Sequence, residues 1–176
     1  MNNLAAEAIT NCMEANSPTF ISSQDVKKWM ESDDIEVLGA VYVLITDERF
    51  NPYLSPPLSF DDYYQFVIEY FERCLVENPD GEWSDSRYTA GWDLINWFRT
   101  LWNDLTVPRE KIVRMKNWLG RLYKNGNEEL QICIVTATLE HLFENSKIAD
   151  YFSSWLEDPI LKRAYLEALE WSTTNS

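Results

Sequence analysis

The sequence predicts an all-α protein. Apolar residues recur at the 3.6-residue period in one segment after another. Most of those segments open on a capping Ser, Asp or Asn with an acid in the first turn. Only 5 glycines occur in 176 residues, few for a β-rich chain with many tight turns or for a glycine-rich nucleotide fold. Seven to nine helices on short links are expected to pack as antiparallel hairpins. The length fits one domain over residues 1–172, with a disordered polar tail at 173–176.

Residues 3–15 place Leu4, Ala8, Ile9 and Met13 at helical spacing, and Ser17-Pro18-Thr19 ends that helix. Ser22 and Ser23 offer caps for a helix over 24–30. Asp33 or Asp34 caps the next, over 35–46. Its β-branched run would also permit a strand, but the capping Asp and the length favour a helix. Pro52, Pro56 and Pro57 make 47–57 a loop. Ser59 with Asp62 resembles a capping box and opens a helix over 60–77. Asn78-Pro79-Asp80-Gly81 is a turn, and the loop runs on through Glu82-Trp83-Ser84-Asp85-Ser86.

The stretch RYTAGWDLINWFRTLWN, residues 87–103, reads as a central helix. Trp92, Trp97 and Trp102 lie five apart, which is about 140° of net rotation per step on a helix. They therefore line no single stripe. A helix apolar on most sides belongs in a core, and the three indoles are expected there. A helix over 108–125 starts at Pro108 and ends at Gly126. Asn127 caps a nearly all-apolar helix over 128–144. A short helix over 147–156 follows, and Asp158-Pro159 opens the last, over 160–171. The hairpins 108–125 with 127–144 and 147–156 with 159–172 suggest a HEAT-like α-solenoid, with an irregular helical bundle as the alternative. No residue-level period marks repeats.

The net charge is −14, and it is uneven. Residues 1–88 carry 17 acids and 5 bases, whereas residues 89–176 carry 12 acids and 10 bases. An acidic field repels nucleic acid and anionic lipid and attracts basic partners. One stretch runs the other way. Arg99, Arg109, Lys111, Arg114, Lys116, Arg121 and Lys124 face only Asp104 and Glu110 in sequence. Lys111, Arg114 and Arg121 with Trp118 could track phosphates, but neutralising acids on neighbouring helices is the favoured reading. Cys12, Cys74 and Cys133 are odd in number, far apart and set in apolar patterns, which suits buried reduced thiols in the cytoplasm. The N-terminus lacks the pattern of a signal peptide, and no apolar run is long enough to span a membrane.

No catalytic set assembles. His141 is the only histidine. His141 and Glu144 lie one helical turn apart, but a carboxylate-bridged metal pair needs further inward carboxylates and a second such motif. Nucleophile elbows and phosphate or dinucleotide fingerprints are missing. The expectation is a protein that is not an enzyme, with no metal and no cofactor. Asp33, Asp34, Glu36, Asp61, Asp62, Asp80, Glu82, Trp83 and Asp85 are the candidate partner-binding residues. Acids beside an exposed aromatic suit a basic protein, because carboxylates steer the encounter and the aromatic anchors the desolvated centre.

Three segments carry a family resemblance. GWDLINWF (91–98), TATLEHLFE (136–144) and ALEW (168–171) resemble uncharacterised bacterial all-helical, HEAT-like proteins of the immunity-protein type, over residues 86–172. The resemblance implies an all-α, cytoplasmic, protein-binding molecule that neutralises a basic toxin, and it transfers no individual functional residue. The alternative function is a structural or adaptor scaffold that takes a peptide or protein in a groove.

Overall fold

The computed structural model describes residues 20–174, together with residues 7, 9–11 and 14. Those five earlier residues are helical, and Ile9 is fully buried. The rest of the helix expected over 3–15, Cys12, the break at 17–19, and residues 175 and 176 lie outside the described residues. The protein is all-α, and its chain divides into two compact units, Met1–Ser86 and Arg87–Ser176.

In the first unit, Ser22 caps α1 (Ser23–Met30) and Asp34 caps α2 (Ile35–Thr46). The Asp34 carboxylate accepts the Glu36 N–H at 3.0 Å, satisfying one of the free donors of the first turn. Ser59 caps α3 (Phe60–Glu77) in the predicted box, its hydroxyl oxygen accepting the Asp62 N–H at 3.1 Å. Asn78 ends α3 in the left-handed region at φ 50°, one of the few residue types that adopts it readily. Tyr64, Tyr70 and Phe71 on α3 are fully buried, as are Val41 and Leu44 on α2. Tyr42 stacks on Tyr70 with ring centroids 5.0 Å apart. Each large apolar side chain buried in this way contributes about 1.5–3 kcal/mol.

The sequence shows no strand, yet β1 (Ile21–Ser22) and β2 (Leu54–Ser55) pair in parallel, Ile21 with Leu54 and Ser22 with Ser55. Two residues per strand are too few to display an alternating pattern.

In the second unit, α4 (Arg87–Asn103) has the bounds the sequence predicts. It is followed by α5 (Arg109–Asn125). Next comes α6, which runs in α geometry over Glu128–Cys133, in π geometry over Ile134–Leu139, and in α geometry again over Glu140–Phe143. Then come α7 (Ser146–Phe152), a 3-10 turn (Ser153–Glu157) and α8 (Pro159–Thr174). The last helix thus takes in Thr173 and Thr174, two residues expected in the tail. Pro108 sits one place before the first helical residue, not within it.

The π turn of α6 lies where α4 comes closest. A Cβ on Gly91 would stand 3.0 Å from the Ala137 Cβ. The buried Thr138 hydroxyl donates to the Gly91 carbonyl at 3.0 Å. A π turn widens the helix and frees main-chain groups, and here it brings Ala137 and Thr138 onto the one glycine of α4. Phe98, Phe143, Phe152 and Tyr165 form a chain of ring contacts through the core, with centroids 5.2–5.8 Å apart.

The tryptophans of α4 separate. Trp97 is 8% exposed, but Trp92 is 49% exposed and Trp102 is half-buried. The expectation of three core indoles is corrected for Trp92, because the face that carries Tyr88 and Trp92 is only partly covered by α6. No helix among the described residues is long and apolar enough to cross a membrane.

Candidate functional site

The first unit carries 17 acids and 4 bases, counted over residues 1–86, against 12 acids and 11 bases in the second. The charge boundary and the structural boundary coincide. The candidate site forms where the start of α2 meets the loop that follows α3.

That loop is held by one side chain. The Glu36 carboxylate accepts the backbone N–H groups of Glu82 at 2.8 Å, Trp83 at 3.0 Å and Ser84 at 3.0 Å, and also the Ser84 hydroxyl. Successive N–H groups converging on an anion form a nest, and here the anion is supplied from within the unit. Burial raises the carboxyl's pKa, but the Ser84 hydroxyl and the three N–H groups together outweigh it and leave the group below its ordinary range. Two glycines make the approach possible. A Cβ on Gly81 would fall inside the Glu36 carboxylate, and a Cβ on Gly39 would overlap the Trp83 carbonyl and stand 2.8 Å from the Ser84 nitrogen.

The far end of the loop is fixed by Tyr70. Its hydroxyl donates to the Asp85 carboxylate at 3.0 Å and accepts the Asp85 N–H at 2.9 Å. Burial raises the Asp85 carboxyl and raises the Tyr70 phenol strongly. Glu36 and Asp85, expected to touch a partner, instead build the loop. Their hydrogen bonds are internal, and breaking them would release the segment that carries the other candidates.

The remaining candidates divide into two groups. Asp33, Asp80 and Glu82 are exposed at the α2–loop corner, with Asp34 partly covered and Trp83 half-buried beside them. Arg73 fastens this corner, donating to the Asp33 carbonyl at 2.9 Å and pairing with Glu77 at 2.6 Å. Asp61 and Asp62 lie at the other end of α3, and residues 62 and 73 are about 16 Å apart along a helix axis. Asp62 is engaged there, pairing with Lys27 at 2.7 Å and accepting the Ser59 hydroxyl at 2.7 Å. The nine residues therefore do not form one surface. The corner built on Asp33, Asp80, Glu82 and Trp83 is the coherent part.

Gly39, Gly81, Ser84, Arg73 and Tyr70 shape this corner and were not singled out by the sequence. Gly81 is visible only as a turn residue, and Tyr70 only as part of an apolar stripe. No protein-family model matches the chain, and no curated protein or solved structure matches it.

In the second unit, His141 stacks on Trp92 with ring centroids 4.3 Å apart, and its Nδ1 lies 2.9 Å from a Glu144 carboxylate oxygen. Arg99 donates to the His141 carbonyl and to Glu144. The His141 contact and then Arg99 hold the Glu144 carboxyl below its ordinary range. Glu140 is buried, 8% exposed. Among the described residues, no group of three or more His, Cys, Asp or Glu side chains is placed to hold a metal ion.

The basic stretch is engaged within the unit at several points. Arg99 pairs with Glu144, Lys124 pairs with Asp158, and Arg109 lies over the Trp102 ring at 4.8 Å. Trp118, weighed as a stacking platform for bases, is 5% exposed. Cys74 and Cys133 are buried free thiols, pushed by burial up to about 12 and about 11.

Proposed function

We propose that this protein is a non-enzymatic binding module of the cytoplasm that holds a basic protein partner by the acidic corner of its first unit. A bacterial immunity protein that neutralises a basic toxin is the biological setting we favour. One observation carries the reading: the unit with 17 acids and 4 bases presents exposed Asp80 and Glu82 on a loop fixed from beneath by Glu36. The charge raises the rate of encounter with a cationic surface. The internal hydrogen bonds pre-organise the loop, so little ordering entropy is lost on docking. Trp83, half-buried in the same loop, contributes the aromatic residue that an interface hot spot favours.

The test is co-expression with the products of the genes beside its own, followed by purification at low and high salt. A basic neighbour that co-purifies at low salt and is released at high salt is the expected result. A complex with a neutral or acidic protein that survives high salt would contradict the electrostatic reading.

A further inference from the structure

The second unit contains a cleft of about 640 Å³ between α5 and the segment 151–161. That volume is in the range of small-molecule sites. Lys116, Arg121 and Lys124 line it, and no carboxylate does. Trp155, Leu161 and Val113 supply an apolar wall, and Gly120 opens the floor. A Cβ at position 120 would already touch Leu161 at 3.3 Å and Trp155 at 3.4 Å.

Lys116 is the unusual member. The residue is 9% exposed, yet its ammonium makes no ion pair among the described residues. It donates to the Tyr151 carbonyl at 2.7 Å and to the Ser154 hydroxyl oxygen at 2.6 Å, and it lies over the Tyr151 ring at 4.7 Å. Both hydrogen-bond acceptors are neutral, and they use two of its three N–H groups. A buried charge with no counter-charge is costly, and burial pulls this amine below its ordinary range. Lys116, Arg121 and Lys124 together give the cleft its cationic character, Lys124 pairing with Asp158. An anion placed against Lys116 would supply the missing counter-charge, and the Ser154 hydroxyl proton could donate to it as well.

We propose that this cleft binds a small organic anion, with the charged head against Lys116 and Arg121 and an apolar or aromatic body against Trp155 and Leu161. The inference concerns a different unit from the acidic corner and stands or falls separately from it.

The full chain, labelled with nitrogen-15, is titrated separately with phenyl phosphate, benzoate, inorganic phosphate, benzyl alcohol and a polyglutamate peptide. The Gly120 amide and the Trp155 indole N–H are followed. Phenyl phosphate or benzoate should shift both signals saturably, with inorganic phosphate weaker and benzyl alcohol without effect. Lys116→Met keeps an apolar stem in the same shell and should weaken binding by roughly tenfold or more. Arg121→Gln, at an exposed position, should weaken it by roughly several-fold and covers the case in which the Lys116 variant does not fold. The inference is overturned if neither organic anion gives a saturable shift, if benzyl alcohol binds as well as they do, if only polyglutamate binds, or if Arg121→Gln and a folded Lys116→Met both bind like the parent.

Discussion

Glu36 and Trp83 are 47 residues apart in sequence and meet in a 3.0 Å hydrogen bond, the Trp83 N–H donating to the Glu36 carboxylate. The same carboxylate receives the Glu82 and Ser84 N–H groups. One acid at the start of α2 therefore fixes the loop that carries the exposed acids.

Replacing that acid should loosen the loop without unfolding the unit. Glu36→Gln keeps the shape but turns an amide donor toward backbone donors. A cost of about 1–3 kcal/mol is expected in urea denaturation, the range for leaving buried donors unsatisfied. Hydrogen exchange should accelerate at residues 82–84 and stay unchanged in α3. A uniform increase across the unit would argue against a local role.

The pH dependence of this variant has a defined sign. The folded Glu36 carboxyl titrates below the ordinary glutamate value of 4.5, so its contribution is fully present above that pH and is lost as pH falls through the folded value. Asp85 runs the opposite way. Its folded value is raised above 3.8, so the native state takes up a proton first and stability falls as pH rises through that window. The gap in stability between the parent and Glu36→Gln should therefore shrink as pH falls below 4.5, while Asp85→Asn should remove a contribution of opposite slope. Denaturation curves collected from neutral to acid pH measure both.

Two helical glycines should respond to alanine with opposite signs. Alanine in place of glycine in a helix gains about 0.5–1 kcal/mol from the backbone. At Gly39 the added methyl meets the Trp83 and Ser84 backbone, so Gly39→Ala should instead lose about 1–3 kcal/mol overall. At Gly120 it meets only the ends of the Leu161 and Trp155 side chains at 3.3 and 3.4 Å, so Gly120→Ala should be neutral or stabilising. Thermal melts of the two variants separate the cases.

The tryptophans of α4 should also differ. Trp97→Ala removes a buried indole and should cost about 3–5 kcal/mol. Trp92 is 49% exposed, and its main described contact is the His141 ring, so Trp92→Ala should cost about 0.5–1.5 kcal/mol. Equal losses in chemical denaturation would mean that Trp92 is core after all.

The local signals in the sequence were informative where the cause is local. Asp34, Ser59 and Asn127 cap the helices they were expected to cap, and the bounds of α2, α3 and α4 agree with the 3.6-residue pattern. What the sequence hid was long-range or isolated. A two-residue strand pair has no period to read. Trp92 has the same residue type and spacing as Trp97, and only the packing of α6 distinguishes them. The π turn of α6 lies inside an unbroken apolar run. In the site, a first-turn acid such as Glu36 fits the helix dipole equally well whether it faces solvent or a loop 46 to 48 residues away. Sequence reasoning thus found the acidic region but could not tell its builders, Glu36 and Asp85, from its exposed members, Asp80 and Glu82.

Calorimetric titration of a basic protein recovered by the low-salt co-purification against the parent and the Asp80→Lys/Glu82→Lys double variant tests the proposed acidic corner most directly. Both side chains are exposed and make none of the hydrogen bonds that hold the loop, so the variant should fold normally. The partner's affinity should fall by roughly tenfold or more in the variant, with a shallower dependence on salt. An affinity and salt dependence equal to the parent's would contradict a binding role for this corner.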